Sequence, residues 1–108
     1  MSNYQDRLRR LAFNDQVLLH EECGAIHDPH GLDAKTLAMA RLASLIAMGG
    51  SEPSFAEQTD AALSAGASCD EVVDVLVGVS SVIGIPRVVW AAPKVALALG
   101  LDLDSMVD

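Results

Sequence analysis

Apolar residues recur at helical spacing along almost the whole chain. The clearest run is Val72, Val75, Leu76, Val79, Val82 and Ile83, spaced i, i+3, i+4, i+7, i+10 and i+11. Its β-branched content favours a strand, but it is too long for one strand and its period is that of a helix. The "SCDE" stretch (68–71) places Ser-x-x-Glu in front of it, a capping box with further acid in the first turn, and Gly84 ends it. Upstream, Tyr4 to Phe13 reads as an amphipathic helix, with Leu8 and Leu11 opposite Arg7, Arg9 and Arg10. Asn14 and Asp15 cap a short second helix through Glu22, with Gly24 as its stop. "AIHDPHG" (25–31) is a loop punctuated by Pro29 and Gly31.

Asp33 opens a long helix, Ala34 to Met48, stopped by Gly49-Gly50. Leu37, Ala38, Ala40, Leu42, Ala43, Leu45, Ile46 and Ala47 surround most of its circumference, which predicts a central, buried helix. The next helix begins near "SEPS" (51–54) and reaches Ala65, with Gly66 just beyond. Pro86 opens a last helix through Leu99, with Gly100 as its stop. Pro93 lies inside it, removes one ladder bond and crowds the Val89 carbonyl, so a kink is predicted there. The pattern predicts a single all-α domain over 1–108, with about five or six helices.

Composition changes this picture in one respect. The chain of 108 residues is 51% apolar with mean hydropathy +0.32. So small a domain has too much surface to hide all that carbon, which predicts closure against other copies of itself. The net charge of −8 repels phosphate backbones and anionic lipid, so neither nucleic acid nor a membrane surface is an expected partner. The longest uncharged run, Val75 to Pro86, falls short of the roughly 18 apolar residues of a spanning helix. No apolar segment follows the polar "MSNYQDRLRR", so no signal peptide is read and a cytoplasmic location is expected. Cys23 and Cys69 form no CxxC pair and are expected to be buried or idle thiols.

Three stretches carry candidate chemistry. In "SEPSFAEQ" (51–58), either Ser54 with Glu57 forms a capping box or Ser51 caps with Pro53 in the first turn. Alternatively Ser54 and Gln58 form a neutral hydrogen-bonding pair in a pocket, with Glu57 the nearest group able to carry a proton. Arg87 follows Gly84-Ile85-Pro86 at a helix start, where free N–H groups also favour an anion, and an ordinary ion pair is the plainer use. Trp90, one turn on, either walls a pocket or packs in a core or interface. "HEECGAIHDPH" (20–30) gathers His20, His27 and His30 with Cys23 and three acids. That spacing matches no established zinc pattern, and a partly exposed loop accounts for it.

From Leu32 to Leu101 the pieces "LDAKTLAMARLASLIAMGG", "AALSAGASCDEVVDVL" and "VIGIPRVVWAAPKVALALGLD" resemble the carboxymuconolactone decarboxylase and alkylhydroperoxidase D-like family. The resemblance implies a helical bundle over 32–101, assembled as a homotrimer or homohexamer. Peroxidase-type members carry C-x-x-C-x-x-x-H before the A-A-L segment and a glutamate about three turns upstream. Here Ser51 and Ser54 match the cysteines, Gln58 the histidine and Met39 the glutamate. Peroxide attack needs a thiolate, and serine supplies none, so thiol peroxidase activity is not expected. Decarboxylase-type members keep the histidine, and Gln58 departs from that pattern too. Two expectations remain. One is metal-free, cofactor-free proton transfer on a small organic acid or lactone, with Glu57 moving the proton, Ser51, Ser54, Gln58 and Trp90 shaping the site, and Arg87 holding a carboxylate. The other is a non-catalytic binding or scaffold protein.

Overall fold

The computed structural model describes residues 3–24, 28–29 and 31–106. Among them stand six α-helices and no strand: α1 (Tyr4–Ala12), α2 (Gln16–Glu22), α3 (Ala34–Met48), α4 (Glu52–Ser64), α5 (Cys69–Ile83) and α6 (Ile85–Ala98), then a short 3-10 turn at Asp104–Met106. No helix among the described residues is long and apolar enough to cross a membrane. The chain divides into two compact units, 1–32 and 33–108.

In the first unit α1 packs against α2. Asn3 caps α1 by accepting from the Asp6 N–H at 2.8 Å, and Asp15 caps α2 by accepting from Val17 and Leu18 at 3.0 and 3.2 Å. Asp15 also pairs with Arg10 at 3.0 Å, and Arg7 pairs with Glu22. The Arg10 hydrogen bond is the main reason the Asp15 carboxyl lies below its usual range, followed by the Leu18 N–H.

In the second unit α3 touches α4, α5 and α6, and α6 touches α4 and α5. Ala38, Leu42 and Ile46 of α3, Phe55 and Ala62 of α4, Val72 and Leu76 of α5, and Ala91 and Val95 of α6 form its core, with Ala67 joining from the loop. These positions recur every three or four residues, so each helix contributes one stripe. The "SCDE" expectation holds: the Glu71 N–H donates to Ser68 Oγ and the Ser68 N–H donates to Glu71 Oε1, both at 3.0 Å. Glu71 also meets Lys35 of α3 at 2.7 Å. That hydrogen bond first, and the Ser68 N–H second, hold its carboxyl below the ordinary value.

Three sequence expectations need correcting. The apolar girth of α3 is not covered on every side within one chain: Ala40, Ser44 and Met48 form an exposed stripe, and Met48 is 81% exposed. Its three neighbours cover one side of the helix and leave the other open. The last helix starts at Ile85, one residue before the expected Pro86, which takes its second position; Pro93 lies inside it as expected. Cys23 and Cys69 are free and exposed rather than buried. Cys69 is the first residue of α5, in its exposed opening turn ahead of the core stripe that begins at Val72.

A cleft at the end of helix α3

Gly49 ends α3 with φ +83° and ψ 161°, a backbone region essentially reserved for glycine. Gly50 follows, and Ser51 caps α4. The Ser54 N–H donates to Ser51 Oγ at 3.3 Å, and the two hydroxyls lie 3.0 Å apart. Pro53 occupies the second helical position, where its missing N–H costs nothing. Of the two capping readings, Ser51 with Pro53 is the one observed.

Two clefts adjoin at this corner and share Met48 and Gly49. The first, about 480 Å³, is lined by Ala40, Arg41, Ser44, Leu45 and Gln58 besides the shared pair. The second, about 660 Å³, is lined by Gly50, Pro86, Arg87 and Trp90 as well. A Cβ on Gly49 would stand 3.6 Å from two carbons of the Trp90 ring and 3.9 Å from an Arg87 guanidinium nitrogen, so this glycine lies directly against the α6 pair. Trp90 meets the buried Phe55 edge-to-face, with centroids 6.1 Å apart and planes at 65°. The Lys94 ammonium lies 3.6 Å from the Trp90 ring centroid, a cation–π contact, and donates to the Trp90 carbonyl at 3.4 Å.

Gln58, Arg87 and Trp90 therefore line clefts that meet at Gly49, and Ser54 stands beside Gly50. Glu57 is not brought to either cleft and is exposed. The reason is helical geometry: at about 100° per residue, Glu57 lies some 200° around α4 from Phe55, opposite the stripe of Phe55, Thr59 and Ala62. The sequence already held that signal. It also held the 87, 90, 94 spacing that seats Lys94 on Trp90, although Lys94 was not singled out as a partner of the indole.

The charges are unevenly settled. Arg7, Arg9, Arg10 and Lys35 each pair with a carboxylate. Arg87 makes no ion pair or hydrogen bond among the described residues. Among the described residues, no Asp, Glu, His or Cys lines either cleft.

Residues 18–97 match the family model described as the carboxymuconolactone decarboxylase family. The chain belongs to this family. Comparison with curated proteins and with solved structures found no match.

Within this carboxymuconolactone decarboxylase family member, the positions that match the redox pattern have other occupations. Ser51 and Ser54 hydrogen-bond one another at a helix cap. Met39 is partly buried and packs against the core, where a titrating side chain would lose solvation. Gln58 borders the first cleft. Among the described residues, no three His, Cys, Asp or Glu side chains are placed to hold a metal ion. His20 is exposed on α2, and His27 and His30 lie outside the described residues.

Proposed function

We propose that this chain is a ligand-binding member of the carboxymuconolactone decarboxylase family that holds a small organic acid at the Gly49 corner. Arg87 pairs with the carboxylate, Trp90 walls the ligand, and Gln58, with Ser51 and Ser54 behind it, supplies neutral hydrogen bonding. The observation that carries this reading is an arginine without a carboxylate partner among the described residues, beside an indole at an open cleft, in a chain of net charge −8. A guanidinium free of internal partners keeps its planar fork for a ligand carboxylate.

Proton-transfer catalysis is the second reading, and membership of the family favours it. General acid–base work needs a side chain that titrates near the working pH, within hydrogen-bond reach of the reacting atom. Guanidinium, amide and hydroxyl groups do not meet that need unaided, and Glu57 is exposed and lines neither cleft. Lyase or isomerase activity would therefore require a second copy or a closure step to bring a titrating group to the cleft.

Self-association belongs to the same proposal. Met48, Val77, Val82, Ile85, Val89 and Leu97 are between 58% and 84% exposed in the single chain. Leaving so much aliphatic surface in water is unfavourable, and a homotrimer or homohexamer would cover it. Light scattering that returns the mass of one copy in dilute solution would refute this part.

The ligand proposal is tested by a thermal-shift screen of small carboxylic acids and lactones. A binder at 100 times its Kd adds about 2.7 kcal/mol of stability. Arg87→Gln is expected to abolish the response to acids, and Glu57→Gln to leave it unchanged. Loss of binding in Glu57→Gln with retention in Arg87→Gln would overturn the assignment in favour of the proton carrier.

A further inference from the structure

The ligand class at this corner can be narrowed, and the narrowing rests on the reading above. Along α6, Arg87, Trp90 and Lys94 are spaced i, i+3 and i+7, so they share one face of the helix with the indole between two cations. Lys94 sits on the Trp90 ring at 3.6 Å from its centroid and does not line the cleft, whereas Trp90 and Arg87 do. Trp90 is 46% exposed, and its ring meets Phe55 edge-to-face. A Cβ on Gly49 would already touch the benzo edge of Trp90 at 3.6 Å and come within 3.9 Å of Arg87, so the glycine lets the end of α3 pass close beside this pair.

An indole in an open cleft is a familiar seat for an alkylammonium ligand, since the ring face is electron-rich. Here that interaction is already taken by Lys94. The ammonium draws the π density toward itself, and Arg87 adds a second positive charge. A further cation is repelled, and a flat, electron-rich anion is attracted. We propose that the site selects planar conjugated or aromatic carboxylates, which stack on Trp90 while their carboxylate meets Arg87, over saturated carboxylates of the same charge and size.

The test uses the full chain with three probes: benzoate, cyclohexanecarboxylate and choline. Trp90 is the sole tryptophan, so its fluorescence reports contact with the ring, and calorimetry supplies each Kd. Benzoate is expected to quench Trp90 and to bind about two- to tenfold more tightly than cyclohexanecarboxylate, the range that aromatic contacts provide. Choline is expected not to bind. Trp90→Leu should bring the ratio of the two acids to one, and Trp90→Phe, which keeps a ring face, should retain a preference for benzoate. Lys94→Gln should weaken benzoate more than cyclohexanecarboxylate. Equal affinities for the two acids, both lost in Arg87→Gln, would overturn this inference and leave the carboxylate reading standing. Failure of both acids to bind would overturn both, as would tighter binding of choline.

Discussion

Phe55 joins the core to the cleft, and its removal tests that link. The side chain is fully buried, one turn into α4, with its ring against Trp90. Replacing it by alanine removes up to about 3 kcal/mol of transfer free energy and about 0.5–1.5 kcal/mol of aromatic contact, with a further loss from the cavity left behind. The sum expected for Phe55→Ala is about 3–5 kcal/mol. A small domain has only about 5–15 kcal/mol in all, so this is about a fifth or more of its stability. Phe55→Leu keeps most of the volume and should cost under about 1.5 kcal/mol. Urea denaturation followed by far-ultraviolet circular dichroism gives both values, and an unchanged m confirms that the same surface is exposed on unfolding. The folded Phe55→Ala protein should also show altered Trp90 emission, because the indole loses its T-shaped ring contact. A loss below about 1 kcal/mol at unchanged m would refute the enclosure of Phe55.

Other substitutions and conditions have defined outcomes. Gly49→Ala and Gly84→Ala place a Cβ at φ +83° and +90°, in the same glycine-only region, and each should cost about 1–3 kcal/mol by urea titration. Thr59 is fully buried with its hydroxyl oxygen unpartnered among the described residues, so Thr59→Val should raise stability by about 1 kcal/mol, and a loss would reveal a hydrogen bond. Asp15, Asp33 and Glu71 have carboxyls held below their ordinary values, chiefly by Arg10, the Thr36 N–H and Lys35 respectively. Their folded forms bind protons less readily than the unfolded chain. The stability they contribute is therefore complete above the ordinary carboxylate range and is lost as pH falls through the depressed values. Thermal melts should show a fall on acidification that is smaller in Glu71→Gln, and high salt should weaken the Lys35–Glu71 share of it.

The helical bundle was legible because its signals are local. Ser68 and Glu71 capped α5 from four adjacent letters, Asp33 marked the start of α3, and Asn14-Asp15 and the two serines Ser51 and Ser54 bracketed the starts of α2 and α4. Gly49 and Gly84 marked stops because only glycine tolerates their backbone angles. The run from Val72 to Ile83 resolved as helix because spacing outweighed β-branching. Glu57 was assigned to the site through its neighbours in sequence, when the stripe of Phe55, Thr59 and Ala62 already placed it on the far side of α4.

What the sequence determined by itself, then, was the kind and order of the helices and their approximate ends, together with hydroxyls, which supply no thiolate, at Ser51 and Ser54. Both follow from covalent identity and from interactions within one or two turns. The tertiary structure alone decided that Gly49 of α3 meets Trp90 and Arg87 of α6, that Arg87 keeps no carboxylate partner among the described residues, and that one side of α3 stays bare. Those facts depend on how helices far apart in sequence pack and on which charges that packing leaves within reach. Neither is written in the periodicity of any single segment.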